Sequence, residues 1–170
     1  MPVHDDRALF ELLTLEGAQA GLSWVTILRK REGYRRVFRN FDPRAVAALD
    51  ADAVEAAVSD PGIVRHRGKI LSTLKNASAL LEVARTHGSF AAYLWAFVAG
   101  RPRDGRYGTK TPLPATTPLS DAVSADLRAR GFTFTGSTIV QSFLQACGIL
   151  NDHRSTCFRR AEIIAARRAT

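Results

Sequence analysis

The sequence predicts an all-α protein. Three observations carry that reading. Apolar residues recur at helical rather than alternating spacing along nearly the whole chain. Aspartate, serine and Asp-Pro signals stand where helices would begin, and glycines where they would end. The one alternating stretch, Phe132-Thr133-Phe134-Thr135, is too short for a strand. A chain of 170 residues reads as a single domain over 1–170, large enough to bury a real core.

The elements follow in order. Asp5 and Asp6 can cap a first helix running to Ala20, with Leu9, Leu12, Leu13 and Ala20 on one face and Glu11 and Arg7 towards solvent. Ser23 can cap a second helix from Trp24, turning Ile27 and Leu28 inward and breaking at Gly33 before Tyr34, Val37 and Phe38. Asp42-Pro43 reads as an N-cap followed by proline at the first helical position. A short helix fits Asp52 to Val58, and a long one fits Arg67 to Arg85, stopped at His87-Gly88. Ser89 can cap an apolar helix from Phe90 to Val98. Residues 100–118 form a Pro/Gly-rich loop between two helical groups. Helix resumes from Ser120 to Arg130, turns through Gly131 to Gly136, and runs again from Ser137 to Cys147.

Glu16 is out of place in this scheme. At 100° per residue it falls inside the apolar stripe of the first helix. An ionised carboxylate there costs several kcal/mol unless it is paired, neutralised or lining a pocket. Two readings fit: a Glu that bends to the stripe's edge or bonds nearby backbone, and a carboxylate held at the wall of a binding pocket. The following Gly17-Ala18-Gln19-Ala20-Gly21-Leu22-Ser23-Trp24 favours the pocket.

Three further groups could carry chemistry. Around Gly136, Phe132 and Phe134 would plug the core, while free amides of Gly136, Ser137 and Thr138 at a helix start would suit a phosphate. This is the logic of a helix-hairpin-helix, although many helix corners carry glycines. Arg65-His66-Arg67-Gly68-Lys69 crowds positive charge at the start of the long helix, which an anionic partner would relieve; a solvated turn accounts for it equally. Lys30, Arg31, Arg35, Arg36 and Arg39 form another basic zone, and the chain's net charge of +8 favours a polyanionic partner. His153 and Cys157, four residues apart, make half of a tetrahedral zinc site, or an unligated surface histidine and a free thiol.

Read together, these segments resemble the 3-methyladenine DNA glycosylase I family. The match runs through Leu9-Phe10-Glu11, Leu15-Glu16-Gly17, Gln19-Ala20-Gly21-Leu22-Ser23-Trp24 and Phe41-Asp42-Pro43. It continues through Gly62-Ile63-Val64-Arg65-His66-Arg67-Gly68-Lys69-Ile70, Gly131-Phe132, Phe134, Gly136-Ser137-Thr138, Gln145-Ala146-Cys147-Gly148 and Asn151-Asp152-His153, ending at Cys157. The resemblance implies a helix-hairpin-helix DNA glycosylase fold and hydrolysis of the N-glycosidic bond of 3-methyladenine in double-stranded DNA. The enzyme would be monofunctional and leave an abasic site. Glu16 would be the catalytic and base-reading carboxylate, with Trp24 stacking on the base and Gln19 beside it. Leu22, Ser23, Arg65, Arg67, Lys69, Gly136, Ser137 and Thr138 would contact DNA, Leu22 as a wedge. Asp152 ranks second to Glu16 as a catalytic carboxylate.

The resemblance also implies a segment of roughly twenty residues ahead of Met1, carrying aromatics of the base pocket and the Cys and His that would complete a zinc site with His153 and Cys157. The expectation is a start codon assigned too far downstream. Zinc is therefore a half-site here, and the chemistry needs no cofactor. A competing reading is a DNA-binding relic with an incomplete pocket. Two cysteines are too few for a disulfide framework, no secretory leader is seen and no apolar run reaches 18 residues. The expectation is a cytoplasmic monomer with no membrane partner.

Overall fold

A computed structural model describes residues 2–105, 107–108 and 110–166. Nine α-helices are present among them: α1 Asp6–Gln19, α2 Trp24–Val37, α3 Pro43–Ala47, α4 Ala51–Ser59, α5 Arg67–His87, α6 Phe90–Ala96, α7 Pro118–Ala129, α8 Ser137–Ala146 and α9 Phe158–Ala166. A 3-10 turn, Arg39–Phe41, separates α2 from α3. The all-α class holds, with one addition. Two-residue strands β1 (Arg103–Asp104) and β2 (Leu150–Asn151) pair in parallel, Arg103 opposite Leu150 and Asp104 opposite Asn151. β1 lies inside the loop expected over 100–118, and a local pattern carries no signal for a pairing between segments so far apart.

The helices begin where their caps dictate. Side chains of Asp5, Ser23, Asp42, Asp50, His66, Ser89 and Thr117 each accept a backbone N–H at the starts of α1 to α7. The long central helix α1 packs against α2, α5, α6 and α8. Its Leu9, Phe10, Leu13 and Leu15 enter one buried cluster with Ile27, Phe38, Phe41, Leu80, Phe90, Leu94 and Phe143. The α7–α8 hairpin is tied to α5 by Asn76, whose amide accepts from Thr133 N–H at 2.8 Å and donates to Thr133 O at 3.0 Å.

Four local expectations are corrected. Gly33 does not break α2 but lies inside it, because its missing side chain lets the backbone of Gly62 come in; a Cβ on Gly33 would sit 2.1 Å from the Gly62 carbonyl oxygen. Leu28 is exposed, since α2 buries the narrower stripe through Ile27 and Tyr34. Glu11 is buried rather than solvent-facing: Arg31 and Arg35, one turn apart on α2, donate to its carboxylate at 2.6 and 2.9 Å. Phe134 does not plug the core. It adopts φ 54°, stands partly exposed with its ring edge-on to His66, and leaves the buried place to Phe132 and Thr135.

Candidate active site

Glu16 lies one turn before the end of α1 and is 6% exposed. Among the described residues no donor reaches its carboxyl group, and burial alone pushes its pKa up to about 7. What little of it is open faces a cleft of about 370 Å³. Three segments build that cleft: Glu16, Gln19 and Ala20 from the end of α1, Gly21, Leu22 and Ser23 from the turn into α2, and Thr138, Ile139 and Ser142 from α8. Gly21, at φ 78°, makes the turn. The size falls in the range of small-molecule sites, about 300–1,000 Å³. A carboxyl group with no protein partner at the wall of such a cleft is available to a ligand.

The opposite wall has its own unmet group. α8 begins at Gly136 with no side-chain cap, unlike α1 to α7. Its first amides, at Ser137 and Thr138, present N–H groups and the positive end of the helix dipole beside the cleft. Carboxyl, cleft and uncapped helix start lie together.

The methyladenine glycosylase family pattern matches residues 1–160. The chain belongs to the methyladenine glycosylase family. It is 47% identical over 157 residues to DNA-3-methyladenine glycosylase 1 of Escherichia coli (strain K12), covering 92% of this chain and 84% of that protein. It is 39% identical over 156 residues to DNA-3-methyladenine glycosylase of Haemophilus influenzae, covering 92% and 84%. Among solved structures, a variant of 3-methyladenine DNA glycosylase I in complex with 3-methyladenine superposes with a TM-score of 0.91 at 37% identity, covering 94% of this chain and 86% of that one.

Within this methyladenine glycosylase fold the residues singled out from sequence part into two groups. Glu16, Gln19, Leu22, Ser23 and Thr138 meet at the cleft, Leu22 exposed at its rim. Trp24 does not: it is half-buried against the core at the start of α2 and is absent from the cleft lining. Arg65 is exposed ahead of α5, whereas Arg67 pairs with Glu55 at 2.6 Å. Lys69 turns inward and donates to the carbonyls of Ala18 and Ala20 at 2.9 and 2.7 Å. Four members of the basic zone are engaged within the protein: Arg31 and Arg35 hold Glu11, Arg36 holds Asp60 at 2.6 Å, and Lys30 donates to the Pro61 carbonyl, while Arg39, in the 3-10 turn beyond α2, is exposed. Asp152 accepts from Gln141 and Gln145 of α8 at 2.9 and 2.7 Å, away from the cleft lining. The Sγ of Cys157 lies 3.5 Å from Nδ1 of His153. Cys147 is buried, and burial pushes its thiol up to about 12, so it is inert.

Sequence reasoning missed Ile139 and Ser142 on the far wall, and Asn76, which clamps the hairpin. Asn76 had a signal: it is a polar residue beside Thr73, Ala77 and Leu80 on the buried side of α5, the same kind of misplacement that marks Glu16. Ile139 and Ser142 had none, because only the packing of α8 on α1 turns them to the cleft.

Proposed function

We propose that this chain excises 3-methyladenine from alkylated double-stranded DNA by hydrolysing its N-glycosidic bond, as a monofunctional glycosylase that leaves an abasic site. Family membership supports the reaction class, and one observation carries the residue assignment: Glu16, buried and without a protein partner, faces the cleft. N3-methylation gives the nucleoside's base a positive charge. A carboxylate accepting hydrogen bonds from the base edge favours that cation over unmethylated adenine. When the glycosidic bond breaks, its electron pair goes to the base and discharges it. Water adds to the oxocarbenium-like sugar and gives up a proton. The departing base needs no strong acid, and the described cleft lining holds no lysine to act as a nucleophile, so strand cleavage is not expected.

The uncapped start of α8 and the exposed Arg65 support a phosphate-gripping helix-hairpin-helix along the cleft. Ser23 and Arg67 are read as further backbone contacts and Leu22 as the wedge; the stacking role of Trp24 rests on the family resemblance alone, since its ring packs against the core outside the cleft lining. The separation of His153 and Cys157 fits two ligands of one tetrahedral zinc, which would stand about 3.6 Å apart at usual bond lengths. Among the described residues no third ligand joins them, so any zinc would be completed from outside that set, and no step of the reaction needs it. Two free cysteines support a reducing, cytoplasmic setting, and no described helix is long and apolar enough to cross a membrane. A monomer suffices, because one chain supplies every wall of the cleft.

A second reading, a DNA-binding relic, is favoured by a cleft whose described lining contains no aromatic. Release of free 3-methyladenine from methylated duplex DNA separates the two. The enzyme releases it and Glu16→Gln loses most of that release while keeping salt-sensitive affinity for undamaged DNA; a relic releases none.

A further inference from the structure

Lys69 differs from the arginines beside it. Its ammonium is directed not at solvent but at the end of α1, 49 and 51 residues away in sequence, where it donates to Ala20 O at 2.7 Å and Ala18 O at 2.9 Å. That helix end has a deficit to meet. The last turn of an α-helix leaves carbonyls without partners and carries the negative end of the dipole, which a cation stabilises. The last turn of α1 has no basic residue of its own and carries the acid Glu16 close by.

Several carbonyls at this helix end find partners. Gly17 O accepts from Ala20 N–H at 3.4 Å and Gln19 O from Leu22 N–H at 2.6 Å. Ala18 O and Ala20 O, which have no backbone partner among these turn bonds, are those that Lys69 takes. Beyond them the chain turns through Gly21 at φ 78°. The residues so tied, Gln19 to Leu22, are the rim of the cleft. Burial holds the ammonium's pKa below its usual value, in keeping with a charge withdrawn from water.

We infer that Lys69 is a positioning residue for the base cleft: its ammonium closes the end of α1 and fixes the Gln19–Leu22 rim, and it does not contact DNA phosphate. The inference rests on the glycosylase reading above and adds to it a link between the helix start that carries Arg65 and Arg67 and the rim that holds the base.

The experiment pairs two measurements on wild type, Lys69→Met and Lys69→Arg. One is binding of free 3-methyladenine without DNA, where no phosphate is present. The other is the salt dependence of affinity for an undamaged duplex. Lys69→Met should bind the free base about tenfold or more weakly, because the carbonyls of buried Ala18 and of Ala20 at the rim lose a charged donor, while its slope of log K against log salt matches wild type. Lys69→Arg, which can still donate to both carbonyls, should stay within about threefold of wild type. Free-base affinity unchanged in Lys69→Met overturns the inference, and a slope shallower by about 0.9 makes Lys69 a phosphate contact. Should Lys69→Met not fold, wild type still decides: the Lys69 ammonium protons should be protected from exchange and undisturbed by undamaged duplex, and a signal that shifts on adding it refutes the role. Wild type that binds no 3-methyladenine refutes the glycosylase reading itself, whereas wild type that binds it beside an equally competent Lys69→Met refutes only the part given to Lys69.

Discussion

Glu16→Gln should make the protein more stable and less active, and the two effects can be sized separately. The carboxyl group has its pKa raised from 4.5 to about 7 by burial. Between those values the folded protein holds a proton that the unfolded chain has released, so stability falls as pH rises from 4.5 to 7 and is level above. At about 1.4 kcal/mol per unit, a rise of roughly 2.5 units corresponds to about 3 kcal/mol of stability lost by pH 8. Gln has nearly the same shape and no proton to lose. The variant should therefore match wild type near pH 4 and exceed it by up to about 3 kcal/mol at pH 8. Urea unfolding of the pair across that range isolates Glu16, because every other titrating group is common to both. Base excision should move the other way. Losing hydrogen bonds from the base to a charged acceptor, worth about 1.5–3 kcal/mol, lowers kcat/KM roughly ten- to hundredfold. Wild-type excision should also decline as pH falls below 7 and the carboxylate takes up its proton. Parallel stability profiles for the two proteins, or a variant less stable at pH 8, would refute an unpartnered, desolvated Glu16.

Three further outcomes follow from the packing. Glu11 is buried, which alone would raise its pKa, but hydrogen bonds and charge from Arg31 and Arg35 outweigh burial and hold it below the usual value. Its contribution is therefore present above pH 4.5 and lost as pH falls through the lowered value; since both arginines are more than a third exposed, Glu11→Gln should cost about 1–2 kcal/mol at pH 7 in chemical denaturation, shrinking in acid. Gly33→Ala should lower stability by more than about 2 kcal/mol in thermal melts, although alanine is the better helix former, because the new Cβ meets backbone of Gly62 that cannot rotate away. Asn76→Ala leaves the Thr133 backbone without its partners and should cost about 1–3 kcal/mol, with duplex affinity falling as the hairpin loosens; unchanged binding would separate the clamp from DNA recognition.

What could be read from sequence was what is local. Caps at Asp5, Ser23, Asp42 and Ser89 place helix starts because the cap and the amides it satisfies are three residues apart or fewer. Glu16 was legible because helical geometry alone puts it on a face where a carboxylate does not belong. The errors share a different cause. Gly33 has the local appearance of a breaker, yet its reason lies at Gly62; Glu11 looks solvent-facing until the arginines of α2 arrive; Lys69 looks like surface charge until the end of α1 stands beside it. Each depends on a residue twenty or more positions away, which no window on the chain contains. The far wall of the cleft, Ile139 and Ser142, was hidden for the same reason.

The bare start of α8 has a consequence for hydrogen exchange. At the seven preceding helices a side chain already occupies a leading amide and slows its exchange with solvent; at Ser137 and Thr138 no side chain does so. Those amides should exchange fast in the free protein and slow down once a phosphate sits on them, while the other helix starts change little. If DNA docks there, the backbone carries its own reporter of that engagement, readable by mass spectrometry on the unaltered chain, at a helix start where no side chain supplies the protection.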